Sequence, residues 1–287
     1  MTGTALSAWQ VCRGAVLAVP LCALLGACGS GSRGAPELAA RSPTERATAY
    51  DHVAEIAGQA GDGAAAERLY RQAMAGRPGW IEPQIGLGRL FLRRGDLEGA
   101  RAQFETAAHQ APDDGRPVAG LAGVALAEHH PDAALQGYTR ALALTPGDSA
   151  ALNGKGVALD QLGRHVEAQA QYRAMLARDP ENRAARNNLG LSLALDGRAA
   201  EALPLLSALA EGPAAVARNR QNLALALALL GRDTEAVTAA SVDEAPAVAK
   251  SDVALLDVLR QGVQASTVGT AGPAPLAAPL AGSAPSS

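Results

Sequence analysis

Two adjacent histidines, His129 and His130, followed by Asp132, form the part of the sequence with the clearest potential for chemistry. Imidazole and carboxylate groups bind transition metals and act as general bases. A metal site needs several convergent ligands, but no cysteine or third histidine lies near this pair in the sequence. Adjacent histidines before a proline therefore indicate a solvated turn rather than a metal site.

The other ionisable residues give no catalytic set. His52, His109 and His165 occur singly at helical positions, where we predict surface side chains. Asp113 and Asp114 fall in a loop, where acidic residues cap the helix that follows. The glycines do not form a phosphate-binding loop. We therefore predict that the protein is not an enzyme and uses no metal or cofactor.

Composition narrows the possible partners. The net charge is −3, and the 287 residues include only two lysines, Lys155 and Lys250. A chain without surplus positive charge is poorly suited to nucleic acid or to a polybasic membrane contact. Aromatic residues make up only 3% of the chain, which favours close helix-on-helix packing through alanine and leucine. We expect protein partners, with no nucleic acid and no small-molecule substrate.

The N-terminus carries a targeting signal, and all three cysteines lie within the first 28 residues. The apolar run over 15–27 is shorter than the roughly 20 residues that span a bilayer, but it fits the core of a secretory signal. It ends in the sequence LGAC at 25–28, which resembles the lipobox of bacterial lipoproteins. The resemblance implies that 1–27 is a cleaved signal peptide and that Cys28 is lipidated and then acylated.

Gly29 follows the cysteine, where an aspartate would resemble an inner-membrane retention signal. We therefore expect the protein on the periplasmic face of the outer membrane, with residues 28–41 as a lipidated cysteine and flexible linker. An ordinary cleaved signal or a poor membrane helix is the alternative, because Arg13 is the single positive charge before the apolar run. The true start codon could lie further into the sequence.

A constant spacing in the sequence, which we call the repeat interval, indicates the structural elements that position the remaining residues. Four residue types keep it in one shared register: Ala66, Ala100, Ala134, Ala168, Ala202 and Ala236; Pro78, Pro112, Pro146 and Pro180; Gly61, Gly95, Gly163, Gly197 and Gly231, with His129 in the gap; and Tyr70, Phe104, Tyr138 and Tyr172. A repeat interval of about 34 residues is typical of a helical-hairpin solenoid.

The pattern resembles the tetratricopeptide repeat. The resemblance implies an all-α, right-handed superhelix of about five full repeats plus a degenerate sixth, over residues 42–246. Small residues at one position of each helix let the paired axes approach closely. Residues 247–263 are predicted to form a closing helix, and 264–287 a disordered tail rich in Ala, Pro, Gly and Ser.

The resemblance also implies that the first helix of each hairpin lines a concave face. The early repeats place mixed charges there and the late repeats leucines and amides, which suits an amphipathic or extended peptide. The candidate partner-binding residues are Arg89, Arg93, Asn153, Gln161, Asn187, Leu191, Leu195, Gln221, Leu225 and Leu229. The alternative is that the apolar stretch 223–230 is simply buried, and the closing helix could cover it.

One stretch indicates a narrower family. The sequence RNRQNLALALALLGRDTEA at 218–236, after a fifth repeat and behind a lipobox, resembles TadD-type lipoproteins of tight-adherence (Flp) pilus assembly. That resemblance implies a scaffold that assists pilus assembly through the secretin or its companions. The alternative is a general envelope adaptor that recruits peptidoglycan enzymes or assists outer-membrane protein assembly.

Overall fold

The computed structural model describes residues 42–212 and 214–254, and this part of the chain contains helices and no strand. The predicted signal peptide, linker and tail, and residues 255–263 of the predicted closing helix, lie outside it. The described helices are α1 (Pro43–Gln59), α2 (Gly63–Gly76), α3 (Glu82–Arg94), α4 (Leu97–Gln110), α5 (Gly115–Ala127), α6 (Pro131–Leu144), α7 (Ser149–Gln161), α8 (His165–Arg178), α9 (Arg183–Leu195), α10 (Ala199–Glu211), α11 (Ala217–Leu229), α12 (Asp233–Ala240) and α13 (246–254).

The helices pair into six successive hairpins, α1–α2 through α11–α12, and each hairpin packs against the next. The predicted all-helical solenoid is therefore confirmed. Its first helix begins with a capping box formed by Ser42 and Glu45, with Pro43 in the first turn.

The turn inside every hairpin uses the left-handed backbone region. Five of these turns place a glycine there, with φ between 72° and 86° at Gly61, Gly95, Gly163, Gly197 and Gly231. His129 takes the same conformation at φ 60° in the third hairpin, and it is the one non-glycine residue with positive φ in the described part. The regular glycine spacing therefore marks a backbone requirement, since glycine adopts this region without a steric penalty.

Close packing explains the spacing of the alanines and aromatic residues. The alanines at 66, 100, 134, 168, 202 and 236 are all 0% exposed, as the tight helix contact requires. In the first four hairpins the residue four positions later is a buried aromatic that lies against at least one glycine of a first helix. Phe104, for example, touches Gly88 of its own hairpin and Gly120 of the next one. The aromatic side chains therefore join one repeat to the next.

The last hairpin is shorter than the others, because α12 has eight residues. The chain then folds back: Arg220 of α11 donates two hydrogen bonds to Asp243, at 2.6 and 2.5 Å. Helix α13 follows, and its Ala249 and Val253 are buried in the same core cluster as Leu223 and Leu227 of α11. Apolar residues that follow the repeats thus help to close the C-terminal end of the solenoid.

Candidate partner-binding groove

The first helices of the hairpins lie on the inner side of the solenoid. Each contacts the first helix of the next hairpin, along the whole series α1, α3, α5, α7, α9 and α11. The second helices make no comparable contact with one another in the described residues. A solenoid presents its extended binding surface on its concave side. We call the surface formed by these six first helices the groove.

The N-terminal part of the groove is charged. Arg89 and Arg93 of α3 are exposed, and neither forms an ion pair within 42–212 and 214–254. Both guanidinium groups help to lower the pKa of Glu55 on α1. Burial opposes that lowering, but hydrogen bonds from Gln59 and Tyr70 and the two arginines outweigh it.

Asp51 behaves differently from its neighbour Glu55. Burial is the main reason that its pKa rises from 3.8 to about 6, and the negative charges of Glu82 and Glu55 add to the effect. His52 opposes the rise. Burial at this edge of the groove therefore favours the protonated form of Asp51.

The C-terminal part of the groove is apolar. Leu191 and Leu195 of α9, and Leu225 and Leu229 of α11, are each only partly buried. These four leucines keep the repeat interval in pairs, so they occupy equivalent positions on adjacent first helices. Partly exposed leucines on neighbouring helices can bury an apolar side chain of a partner, whereas fully packed leucines cannot.

A ladder of side-chain amides runs beside these leucines. Asn188 donates to Asn153 at 2.8 Å, and Asn187 donates to Asn188 at 3.2 Å. The Asn187 carbonyl oxygen accepts from both Asn219 and Asn222 at 3.0 Å. Asn187 is therefore buried in the wall and is not free for a partner, unlike the exposed position that its sequence phase suggested.

The ends of the amide ladder remain free. Within the described chain, no group accepts from the Asn153 amide nitrogen and none donates to the Asn222 carbonyl oxygen. One end thus offers a donor and the other an acceptor. A peptide backbone can hydrogen-bond to both, through its carbonyl and its N–H groups. Asn188 and Asn222 are not among the residues predicted from the sequence, although they lie one repeat interval apart and that spacing identifies them.

The remaining candidates lie on the same face with different surroundings. Gln161, at the C-terminal end of α7, is exposed. Gln221 is exposed as well, but it donates to Glu244 at 3.1 Å, so the segment between α12 and α13 already binds its side chain. The stretch 223–230 is mostly buried, since its members at 223, 224, 226, 227 and 228 are 7% exposed or less. Burial thus accounts for most of this stretch, and Leu225, Leu229 and Leu230 stay accessible.

A serine, a histidine and an aspartate meet between the fourth and fifth hairpins. Asp160 accepts hydrogen bonds from Ser192 at 2.6 Å and from Tyr172 at 2.9 Å, and it lies 2.8 Å from Nδ1 of His165. The serine hydroxyl bonds the carboxylate and not the imidazole ring, and Ser192 is 0% exposed. A nucleophile needs a base within hydrogen-bond reach and access to substrate, and the buried Ser192 has no such access. The cluster instead hydrogen-bonds the fourth hairpin to the fifth.

That cluster corrects one prediction. His165 is not a surface residue, because its side chain is only 18% exposed. The neighbouring aspartate and the next hairpin cover it, whereas His52 and His109 are exposed as predicted. In the described part of the chain no three His, Cys, Asp or Glu residues cluster so as to hold a metal ion. None of the helices described there has the length and apolar character to cross a membrane.

Fold and groove together define a helical-hairpin solenoid with an inner surface suited to binding protein segments. Sequence profiles described as tetratricopeptide repeat match residues 59–123, 120–169 and 166–216. These matches together span 59–216, more than half of the 287 residues. The chain belongs to the tetratricopeptide repeat family, whose repeats generally mediate protein–protein interactions. A sequence comparison with curated proteins finds no match.

Solved structures share the fold at low sequence identity. The Cut9 and Hcn1 hetero-tetramer of APC/C matches with a TM-score of 0.67 at 18% identity, over 76% of this chain and 44% of that one. This chain thus spans less than half of that protein's length. The Pseudomonas aeruginosa pilF structure matches with a TM-score of 0.56 at 17% identity, over 79% of this chain and 100% of that one. The Thermus thermophilus protein TTC0263 also has a TM-score of 0.56, at 20% identity, over 63% of this chain and 98% of that one.

Proposed function

We propose that the protein is a non-enzymatic scaffold that holds an apolar segment of a partner protein in the C-terminal part of its groove. The observation that carries this proposal is the pairing of four partly exposed leucines with a hydrogen-bonded amide ladder whose ends are free. The leucines bury apolar side chains, while the free donor and acceptor satisfy the backbone of the same segment.

We further propose that the scaffold is a lipoprotein that assists Flp (tight-adherence) pilus assembly at the periplasmic face of the outer membrane. The lipobox ending at Cys28 supports the membrane anchor, and the resemblance of 218–236 to TadD-type lipoproteins supports the pilus role. The partner would then be the pilus secretin or a companion protein. A general envelope adaptor for peptidoglycan enzymes or for outer-membrane protein assembly is the second candidate.

Crosslinking from inside the groove tests the partner. A photo-reactive amino acid replaces Leu191 or Leu225, and crosslinked products are identified from intact cells. An adduct with a secretin or another pilus component supports the proposal. An adduct with peptidoglycan hydrolases and no pilus protein would favour the general adaptor. Val166 is the matched control, because it is 66% exposed and lies on a second helix, away from the groove.

A cysteine substitution tests the anchor separately. We expect Cys28→Ser to leave the helical content unchanged but to release the protein from membranes, because only the acylation site is lost. Membrane fractionation with circular dichroism measures both properties. If the variant stays in the membrane fraction after a salt wash, Cys28 does not anchor the protein.

A further inference from the structure

The hydroxyl of Tyr138 lacks the partner that its counterparts have. Tyr70 and Tyr172 occupy the same repeat position as Tyr138, and each donates its hydroxyl to a carboxylate at 2.9 Å. The acceptors are Glu55 and Asp160, which belong to the first helix of the same hairpin. No group accepts from the Tyr138 hydroxyl within 42–212 and 214–254, although the residue is only 6% exposed.

The sequence of the third repeat explains the missing partner. Glu55 precedes its tyrosine by 15 residues and Asp160 by 12. The residues at those distances before Tyr138 are Gly123 and Leu126, which carry no polar side chain. Burial raises the pKa of Tyr138 to about 12, so its hydroxyl stays protonated and acts as a donor at neutral pH.

The hydroxyl reaches the groove. A methyl group built on Gly123 would lie 3.4 Å from the Tyr138 hydroxyl oxygen. Gly123 shares its repeat position with Arg89, one repeat interval earlier, and with Leu191, two intervals later, and both of these lie on the groove surface. The tyrosine therefore points between α5 and α7 toward the inner face, at a place where the first helix has no side chain to cover it.

Tyr138 also lines a small open cavity. Its volume is about 160 Å³, and Phe104 and Gly120 line it as well. Arg89 also lines it, with its guanidinium group free of any ion pair in the described chain. A cavity with an apolar wall, an unpaired cation and an unpaired hydroxyl donor matches a short acidic side chain.

The other charged groups of the cavity are already engaged. Arg116 forms ion pairs with Asp114 at 2.6 Å and Glu82 at 3.2 Å. Asp148 accepts from the backbone nitrogen of Ala151 at 2.7 Å and caps α7. The Tyr138 hydroxyl and the Arg89 guanidinium group are thus the two donors at the cavity that no side chain of the described chain engages in a hydrogen bond or ion pair.

We propose that the cavity binds the side-chain carboxylate of a glutamate or aspartate in the partner segment, which accepts from the Tyr138 hydroxyl and pairs with Arg89. The partner thus supplies to the third repeat the carboxylate that Glu55 and Asp160 supply within the first and fourth. A side chain is favoured over a chain terminus, because the groove continues past this point to the leucines of α9 and α11. This inference rests on the proposed function, in which a partner segment occupies the groove.

A peptide selection tests the proposal and does not require that the partner be identified first. A displayed library of random 16-residue peptides, fused so that no C-terminus is free, is selected on the purified protein. Selected peptides are then synthesised with an acetylated N-terminus and an amidated C-terminus, and their binding is measured by fluorescence anisotropy. We expect Glu or Asp to be enriched at one fixed distance from an apolar pair.

The tyrosine and the peptide acid are expected to depend on each other. Changing the peptide Glu to Gln, or changing Tyr138→Phe in the protein, should weaken binding about tenfold, because each removes a charge-assisted hydrogen bond. Combining the two changes should cost less binding free energy than the sum of the two separate losses, as coupled partners do in a double-mutant cycle. Tyr172→Phe is the matched control, since its hydroxyl already donates to Asp160, and it should leave the peptide affinity unchanged.

The failures can be told apart. Peptides that lose binding with Leu225→Glu but carry no preferred acid would overturn this inference and leave the groove function intact. Additive effects of the peptide and Tyr138→Phe changes would also overturn it. Binding that needs a free terminal carboxylate would overturn the choice of a side chain. If selection yields no peptide that depends on Leu225, both the inference and the proposed function fail.

Discussion

Glycine-to-alanine substitutions at two first-helix positions should change stability in opposite directions. Gly156 of α7 lies against the ring of Tyr172, and a methyl group built on it would lie 2.5 Å from Cε1 and 2.7 Å from Cζ. Non-bonded carbon atoms prefer separations of about 3.5–4.0 Å. Gly123 of α5 has more room, because the nearest atoms to its methyl group would be Leu92 Cδ2 at 3.2 Å and the Tyr138 oxygen at 3.4 Å.

Two opposing contributions decide the sign. Alanine is more favourable than glycine inside a helix by about 1 kcal/mol. Overpacking a filled site costs about 1–3 kcal/mol. Tyr172 cannot move aside easily, because it is 1% exposed and its hydroxyl is hydrogen-bonded to Asp160. Gly156→Ala should therefore destabilise by about 1–2 kcal/mol. Gly123→Ala should stabilise by about 0.5–1 kcal/mol, since the half-buried Leu92 can shift by a few tenths of an ångström.

Urea denaturation followed by circular dichroism measures both effects. Repeat arrays can unfold in parts, so a second probe, the intrinsic fluorescence, should give the same midpoint before free energies are compared. The expected result is a lower midpoint for Gly156→Ala and a higher one for Gly123→Ala. A stabilised Gly156→Ala variant would refute the close contact between the aromatic residue and the first helix, on which the repeat packing depends.

Three further perturbations test the turns, the charges and the helix contacts. His129→Gly should stabilise by about 0.5–1 kcal/mol in urea denaturation, because the exposed His129 holds a left-handed conformation that suits glycine; His130→Gly, at φ −109°, should give no such gain. Asp51→Asn should raise the free energy of unfolding in urea at pH 8, by about 1 kcal/mol after allowance for solvent exposure, and by little at pH 4. The sign follows from the raised pKa: ionised Asp51 costs stability above pH 6, while below 3.8 the carboxyl is protonated in both folded and unfolded chains. Ala168→Leu should lower the melting temperature through overpacking of about 1–3 kcal/mol, whereas Val166→Leu on the same helix, at 66% exposure, should not.

The sequence predicts the glycine and alanine positions of each repeat well, because each of these positions has a local structural requirement. A glycine is needed where the backbone turns left-handed, and an alanine is needed where two helix axes approach. These needs recur once in every repeat, so Gly95 and Ala100 can be recognised without knowing what surrounds them. The fold class, the hairpin turns and the buried alanines follow from the repeat interval alone.

The groove is harder to predict because its properties depend on residues about one repeat apart. The amide ladder joins Asn187 to Asn219 and Asn153 to Asn188, which are 32 and 35 residues apart in sequence. His165 is covered by the hairpin that follows it, so its own helical position gives no sign of burial. Such pairings depend on the rotation between successive repeats. The repeat interval in the sequence does not give that rotation.

The tyrosine series shows how a fixed framework can still carry specificity. The rings of Tyr70, Tyr138 and Tyr172 pack at the same repeat position, against the glycines of the first helices. Their hydroxyls point to the first helix of the same hairpin, where the facing residue varies from Glu55 to Gly123 to Asp160. A phenylalanine at 138 keeps the packing and removes only the donor, whereas an alanine there would disrupt both. Binding and stability can therefore be separated at one position, because the two properties reside in different atoms of the same side chain.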